Sequence, residues 1–197
     1  VRQMNSGKKP LSGVQIVCVD ASPSTSDQTG IFQLKFVRNK KPGDLIVFDE
    51  IRKAGYEVVN DKQLEVIKIG NASSLDVDII MAPKGTVAIA KAKYYDTADQ
   101  ALAERYQQEK RKLTEALQKV QIDAEVYQTQ NSILRNQFER QKKELDALAE
   151  KFARINFDDV SALYKEALQL FQEGKINEAI NKLEAFGPLA QLEDIKQ

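Results

Sequence analysis

The sequence predicts an α+β multidomain protein: an N-terminal antiparallel β-sandwich, a long coiled-coil helix and a C-terminal helical hairpin. Residues 1–85 hold seven of the nine glycines and four of the five prolines, and residues 86–173 hold neither. Turn formers therefore concentrate where short strands are expected and are missing where helix is expected. A seven-residue hydrophobic repeat also runs from Ala103 to Ile155 without a change of phase. We place the predicted domains at residues 1–83, 84–157 and 158–197.

Short hydrophobic segments separated by turn sequences predict six or seven strands in the first domain. The predicted strands cover residues 14–20, 31–36, 45–48, 55–59, 64–69 and 75–81. In the second of them Phe32, Leu34 and Phe36 alternate with polar residues, which places all three on one face. Cys18, the only cysteine, alternates with Ile16 in the first strand and is interpreted as a small buried hydrophobe.

Three spaced motifs in this domain carry a family resemblance. They are Pro-Leu-Ser-Gly-Val-Gln-Ile from Pro10, Ser-Asp-Gln-Thr-Gly-Ile-Phe-Gln-Leu from Ser26, and Lys-Ala-Gly-Tyr-Glu-Val from Lys53. Residues 6–82 thus resemble the carboxypeptidase regulatory-like domains, and the resemblance implies a transthyretin-like (prealbumin-type) sandwich that is an accessory module without catalytic residues. The motif residues are Gly13, Asp27, Gly30, Phe32, Gly55 and Tyr56. We expect a positive φ at Gly30, and Phe32 and Tyr56 in the core.

The heptad repeat predicts a left-handed coiled coil, with a helix that begins between Thr86 and Asp96 and a possible cap at 96–99. Thirteen of its sixteen seam positions are apolar, and the exceptions are Lys110, Asn131 and Gln141. The seam residues that define it are Tyr106, Leu113, Leu117, Val120, Tyr127, Asn131, Leu134, Phe138, Leu145, Leu148, Phe152 and Ile155.

Two arrangements satisfy this seam. A continuous helix would pair with the same helix of a second copy, whereas an antiparallel hairpin would fold back near the polar residues 128–132. The absence of Gly and Pro there and the unchanged phase favour the continuous helix, and hence a homo-oligomer. Asn131 at a seam position would then fix the register and the number of helices.

The last segment predicts two short helices. One runs from Val160 to Glu173, capped by Asp158 or Asp159 and ended by Gly174, and the other runs from Asn177 to Ala185, stopped by Gly187-Pro188. The pattern resembles one tetratricopeptide-type repeat, which implies docking of a protein partner. The residues that carry this resemblance are Ala167, Leu170, Gly174, Ala179 and Leu183. Because repeats stabilise one another by stacking, we expect further repeats beyond Gln197.

Several function classes find no support in the composition. The 29 basic and 29 acidic residues balance, so nothing makes the positive field that nucleic acid requires. There is no histidine, which removes the commonest general base and zinc ligand. Asp20 and Asp27 are interpreted as turn residues rather than cation ligands. We therefore predict no catalytic site, no metal and no cofactor.

No apolar run is long enough to cross a membrane, and the chain begins at Val1 rather than Met, as it would after removal of a targeting segment. The leading hypothesis is a non-catalytic scaffold of the cell envelope or periplasm that binds protein partners, with a cytoplasmic location left open. The alternative is a module that binds carbohydrate or peptide through the β-sandwich.

Overall fold

A computed structural model describes residues 1–70 and 76–185, and it contains both β-sheets and helices, so the α+β class is confirmed. Its contacts divide the chain into two compact units. The N-terminal unit comprises residues 1–87 together with residues 154–159. The described part of the helical unit comprises residues 88–153 and 160–185. The segment 154–159 thus makes its contacts with the N-terminal unit, although residues 88–153 lie between the two in the sequence.

Eight short strands and one short helix form the described part of the N-terminal unit. They are β1 (Arg2–Gln3), β2 (Gln15–Cys18), β3 (Ala21–Ser22), β4 (Ser24–Thr25), β5 (Lys35–Phe36), β6 (Phe48–Arg52), β7 (Tyr56–Val58), α1 (Asp61–Leu64) and β8 (Ile80–Pro83). The sheets have the strand orders β1-β8-β7, β4-β2-β6 and β3-β5. The β1–β8 pair is parallel and the other pairs are antiparallel.

The predicted strands show the expected alternation of buried and exposed side chains, but the observed strands are shorter than predicted. Of the predicted strand 31–36 only Lys35–Phe36 pairs with a neighbour, although Phe32 and Leu34 still turn toward the core. The predicted strand 64–69 is wrong, because Leu64 ends α1 and of the other residues only Lys68 forms an isolated β-bridge, to Leu45. Alternation fixes which side chains are buried, but a ladder also needs a neighbouring edge in register. Leu75, in the last predicted strand, lies outside the described residues.

The core of the N-terminal unit forms around β2 and β8. Val14, Ile16, Ile79 and Met81 are at most 1% exposed. Half-buried hydrophobic residues pack around them, and these are Val1, Phe32, Leu34, Phe48, Ile51, Tyr56, Val58, Ile67 and Val77. The expected core positions of Phe32 and Tyr56 are therefore confirmed. Cys18 is 3% exposed, as predicted, and burial raises the pKa of its thiol.

The remaining helices are α2 (Thr86–Gln118), α3 (Ala124–Ala153), α4 (Ala162–Gln172) and α5 (Ile176–Glu184). The predicted cap at 96–99 is wrong, because these residues lie inside α2. The Glu57 carboxylate instead accepts hydrogen bonds from the backbone N–H groups of Gly85 (3.1 Å) and Val87 (3.3 Å), next to the first residue of α2. A side chain distant in sequence thus satisfies N–H groups at the start of this helix, which no local pattern reveals.

Helices α2 and α3 form an antiparallel hairpin, so the favoured prediction of a continuous helix is wrong. The rings of Tyr106 and Phe138 stack with centroids 4.6 Å apart. Lys91 Nζ lies 2.9 Å from an oxygen of Asp146. As the residue number rises along α2, the number of its partner on α3 falls, which is the signature of antiparallel packing. The heptad seam faces the same chain rather than a second copy.

The turn of the hairpin lies at residues 119–123, before the polar patch at 128–132, which is inside α3. Val120 has a φ of 55°. Its N–H donates to Leu117 O (3.0 Å) and the N–H of Gln121 donates to Ala116 O (2.9 Å), the two hydrogen bonds of a Schellman motif. Asp123 Oδ1 then accepts from the N–H of Val126 (2.8 Å), which caps α3. A β-branched residue occupies the position usually filled by Gly, and this hid the turn.

We expect Val120→Gly to raise the free energy of unfolding by roughly 1 kcal/mol, because the left-handed conformation is costly for a β-branched residue and free for Gly. The Val120 side chain is 88% exposed, so its loss removes little packing. As a control, Ile133→Gly within α3 should lower the free energy of unfolding by about 1 kcal/mol or more. Denaturant unfolding followed by circular dichroism measures both. A lower free energy of unfolding for Val120→Gly would indicate that residue 120 is helical and would contradict the turn.

Candidate functional site: the helix pair at the base of the hairpin

The most tightly packed part of the helical unit is the base of the α2–α3 hairpin, where α4 and α5 lie against it. The rings of Phe152 and Phe171 are 5.3 Å apart and both side chains are fully buried. Each of the four helices contributes buried residues, namely Ala98 and Leu102 (α2), Leu145, Leu148, Ala149, Phe152 and Ala153 (α3), Ala167 and Phe171 (α4), and Ile176, Ala179 and Leu183 (α5). The predicted small residues Ala167 and Ala179 are 1% and 0% exposed, which permits close helix packing.

Gly174 joins α4 to α5 and lies close to the backbone of α2. Its φ is 70°, and its N–H donates to Phe171 O at 3.0 Å. A Cβ placed on Gly174 would lie 2.5 Å from Leu102 N and 2.7 Å from Ala101 C, both backbone atoms of α2. Only a residue without a side chain fits against that helix. The predicted role of Gly174 as a helix stop is confirmed, and its contact with α2 is an additional constraint.

Charged pairs flank the same packing. Lys91 Nζ lies 2.9 Å from Asp146 and 3.3 Å from Glu150, and the hydrogen bond to Asp146 raises the pKa of Lys91. Lys142 Nζ lies 3.4 Å from Asp99, which links α3 back to α2. Pairs this exposed contribute little to stability. Their value lies in discriminating between registers, since a shifted hairpin would break both links at once.

Helix α4 also has an apolar face that is only partly buried among the residues that the structure describes. Tyr164 and Leu168 are half-buried apolar side chains one helical turn apart. Leu170, one of the residues that carry the repeat resemblance, is also only half-buried. Both Ala167 and Phe171, on the neighbouring face, are buried against the other helices. Helix α4 therefore combines one fully buried face with a partly accessible apolar face.

The segment 154–159 forms a second polar site, on the N-terminal unit. Asp158 Oδ2 accepts hydrogen bonds from three consecutive backbone N–H groups, those of Ser6 (2.8 Å), Gly7 (2.9 Å) and Lys8 (3.4 Å). Such a nest of N–H groups is suited to an anion, and here the chain supplies its own carboxylate. The predicted role of Asp158 or Asp159 as a helix cap is wrong, because α4 begins after Ser161.

Reciprocal amide contacts and an arginine hold the same segment. The N–H of Asn5 donates to Asn156 Oδ1 (2.9 Å), and the N–H of Phe157 donates to Asn5 Oδ1 (2.7 Å). Arg2 Nη1 lies 2.6 Å from Asp159 Oδ2, and its Nε donates to Asp78 (2.7 Å). Burial raises the pKa of Asp159, but its hydrogen bonds and charge attraction to Arg2 and Lys8 together outweigh burial and hold this pKa below its ordinary value.

A solvent-open cleft of about 620 Å³ lies beside β4 in the N-terminal unit. Its lining is rich in hydroxyl groups and comprises Ser22, Pro23, Ser24, Thr25, Asp27, Ile31, Phe32, Gln33 and Lys35. Asp27 is already engaged, since its Oδ1 accepts from the N–H of Thr29 (2.8 Å), the hydroxyl of Thr29 (2.7 Å) and the N–H of Ile31 (3.0 Å). The Thr29 hydroxyl lowers the pKa of Asp27. Asp27 thus stabilises its turn, as predicted.

The other predicted motif residues lie where the turn chemistry placed them. Gly13, Gly30 and Gly55 have φ values of 68°, 76° and 78°, so the positive φ expected at Gly30 is confirmed. A Cβ on Gly30 would also meet the carbonyl oxygen of Val1. Asp20 pairs with Lys40 at 3.3 Å. Among the described residues, no group of three or more His, Cys, Asp or Glu side chains is arranged to hold a metal ion.

The seam residues divide into a tight base and a loose tip. Leu145, Leu148 and Phe152 are buried, whereas the residues toward the turn are half-buried, namely Tyr106, Leu113, Leu117, Tyr127, Asn131, Leu134 and Phe138. The seam assignment of Val120 is wrong because it lies in the turn, and that of Ile155 is wrong because α3 ends at Ala153. Asn131 Oδ1 is buried without a hydrogen-bond partner among the described residues, so it does not select this register through a polar contact.

Sequence reasoning missed the residues that bind the segment 154–159. Arg2 and Asn5 lie more than 150 positions before their partners Asp159 and Asn156, and none of these residues belongs to a local motif. The only available signal was the pair Asp158-Asp159, which helix-capping rules interpreted locally.

In the described part of the chain, no helix has both the length and the apolarity needed to span a membrane. Comparison with family models, curated proteins and solved structures finds no match to this chain.

We expect Gly174→Ala to lower the free energy of unfolding of the helical unit by roughly 2–4 kcal/mol, since it adds a clash with α2 to the cost of positive φ. Gly55→Ala is the matched control. Gly55 also has a positive φ, but a Cβ placed on it would meet no heavy atom within 4 Å. The Gly55→Ala variant should therefore lose only about 1 kcal/mol of its free energy of unfolding. Thermal and denaturant unfolding compare the two. Equal losses would contradict the close approach of Gly174 to Leu102.

The Asp159 contacts should stabilise the protein only where the carboxyl is ionised. Because its pKa is lower in the folded chain than in the unfolded chain, this contribution is fully present above about pH 4–5 and is lost as the pH falls through the folded value. Asp159→Asn should therefore be less stable than the parent at pH 7 and approach it at pH 3. Unfolding free energies measured across this range provide the test. A difference that stays constant would contradict the charge contribution.

Proposed function

We propose that this chain is a non-catalytic interaction protein of the cell envelope or periplasm, in which the helical unit presents a docking surface to protein partners. The observation that carries the proposal is the packing of α4 and α5 against the hairpin base, with Gly174 at contact distance from α2. Two helix pairs that share one core are the elementary unit of a helical-repeat solenoid. The tetratricopeptide-type resemblance of residues 158–188 agrees with this arrangement.

The docking surface assigned in this proposal is the half-buried apolar face of α4. Tyr164 and Leu168 lie next to the buried face of Ala167 and Phe171, so the surface rests on a rigid core. Rigid, partly apolar helix faces bind partner helices or extended segments at low entropic cost. The hairpin then serves as a spacer, with the N-terminal unit as an accessory module of the carboxypeptidase regulatory-like, transthyretin-like sandwich type.

Two variants with the same replacement residue test this surface. Leu168→Gln removes apolar area from the proposed docking face, whereas Lys165→Gln changes an exposed neighbour on α4. We expect partners cross-linked to the full-length protein in intact cells to be retained by the parent and by Lys165→Gln and lost by Leu168→Gln, with unchanged helix content. Retention of the same partners by Leu168→Gln would contradict the proposed surface, and a purely cytosolic location would contradict the envelope assignment.

A second candidate function is binding of carbohydrate or peptide by the N-terminal unit. The cleft beside β4 favours it, because hydroxyl, amide and amino groups line its walls with Phe32 and Pro23. Titration of the labelled full chain with cell-wall oligosaccharides should then shift the NMR signals of Thr25 and Gln33. Shifts confined to residues outside the cleft, or no shifts at millimolar ligand, would contradict this candidate.

A further inference from the structure

The hairpin turn stores strain at a position where a straight helix would relieve it. Val120 has a φ of 55°, and its side chain is 88% exposed. Left-handed conformation is rare and unfavourable for a β-branched residue. The remaining turn residues include no Gly or Pro that would oppose a helical conformation. The sequence at residues 119–123 therefore permits helix, and the hairpin adopts a turn there against the local preference of Val120.

The heptad repeat passes through the turn in phase, although the hairpin makes no use of it there. Val120 and Ala124 occupy seam positions by their spacing, yet both are exposed. If residues 119–123 became helical, α2 and α3 would form one continuous helix. These two side chains would then return to the seam at its centre. A hairpin does not require seam positions inside its turn, whereas a continuous helix would use those of Val120 and Ala124.

Antiparallel packing allows a second copy to replace the hairpin contacts. Three contacts join α2 to α3, namely Tyr106–Phe138, Lys91–Asp146 and Asp99–Lys142. As the residue number rises along α2, the number of the partner on α3 falls. Two straightened chains related by a two-fold axis near residue 121 would form the same pairs between copies. This reciprocity is the property of an isologous interface. No contact between α2 and α3 is lost, and two strained turns are removed.

The looseness of the hairpin tip makes the exchange accessible. Leu113, Leu117, Tyr127 and Leu134 are only half-buried, whereas the base around Leu145 and Phe152 is closed. A groove of about 330 Å³ opens between the helices beside Leu113, Ala116 and Leu134. Residues near the turn are therefore held by fewer packed neighbours than those at the base, so that local opening starts at the tip.

We propose that this chain forms an exchanged dimer, in which α2 of each copy packs against α3 of the other along a continuous helix. Short, strained hinge loops favour such exchange. The partner is thus a second copy of this chain, and the binding surface is the seam already used inside one copy. The proposal stands independently of the docking face on α4, which lies outside the α2–α3 seam.

Substitutions at residue 120 should move the monomer–dimer equilibrium in opposite directions. Val120→Ala favours the continuous helix, and Val120→Gly favours the turn and weakens the helix. We expect the dimer dissociation constants of these two variants, measured by light scattering after refolding at a series of concentrations, to differ by at least about 100-fold. Ile133→Ala, an exposed β-branched residue changed in the same way within α3, is the matched control and should leave the dimer fraction unchanged.

A distance within one chain separates exchange from side-by-side association. Nitroxide labels at Gln107→Cys and Gln137→Cys, in a Cys18→Ala background, lie on opposite helices of the hairpin near the Tyr106–Phe138 contact. Labelled Val120→Ala chains are refolded with excess unlabelled chains, and the dimer fraction is measured by pulsed electron paramagnetic resonance. Exchange predicts about 45 Å between the labels of one chain, at ~1.5 Å per residue along a straight helix. A short distance in the dimer, or Val120→Ala remaining monomeric at millimolar concentration, would overturn the proposal.

Discussion

The return of α3 along α2 is the constraint on which the helical unit depends. It places Asp99 of α2 beside Lys142 of α3, and α4 and α5 pack at this base through Phe171 against Phe152 and Gly174 against Leu102. Each of these helices is amphipathic and too short or too polar to be stable alone in water. Burial of the common core is therefore what holds all four together. Gly174 completes the arrangement, because its missing side chain lets the α4–α5 connection approach the backbone of α2.

The segment 154–159 shows how charge and hydrogen bonding, rather than apolar burial, can attach a piece of chain to a β-rich unit. Asp158 fills a nest of backbone N–H groups at residues 6–8, while Arg2 joins Asp78 and Asp159. Each polar partner satisfies a group that would otherwise be desolvated without compensation. The same groups recognise anions in many proteins, but here the carboxylates of the chain already occupy them. This segment is accordingly an anchor, whereas one apolar face of α4 is only half-buried among the described residues.

Local chemistry predicted much of this structure. Gly30, Asp27 and Phe32 behave as their turn and alternation pattern required, and Ala167, Gly174 and Ala179 pack as their size required. The turn at Val120 was not predictable from residue preference, because propensity disfavours the conformation found there and tertiary burial overrides it. The Glu57 cap and the Arg2–Asp159 contact were also inaccessible, since both join residues far apart in sequence. Heptad spacing identified the seam positions within α2 and α3 but misassigned Val120 and Ile155, and it carried no information about whether the partner helix belongs to the same chain.

The central claim is that the seam closes within one copy of the chain, with residues 119–123 as its turn. NMR spectroscopy of the monomer measures this most directly, through the backbone shifts and couplings of Val120 and the proximity of the Tyr106 and Phe138 rings. We expect a positive φ at Val120, helical shifts on both sides of the turn, and a nuclear Overhauser effect between the two rings. Uninterrupted helical shifts through residues 116–126, without a contact between the rings in the monomer, would contradict it.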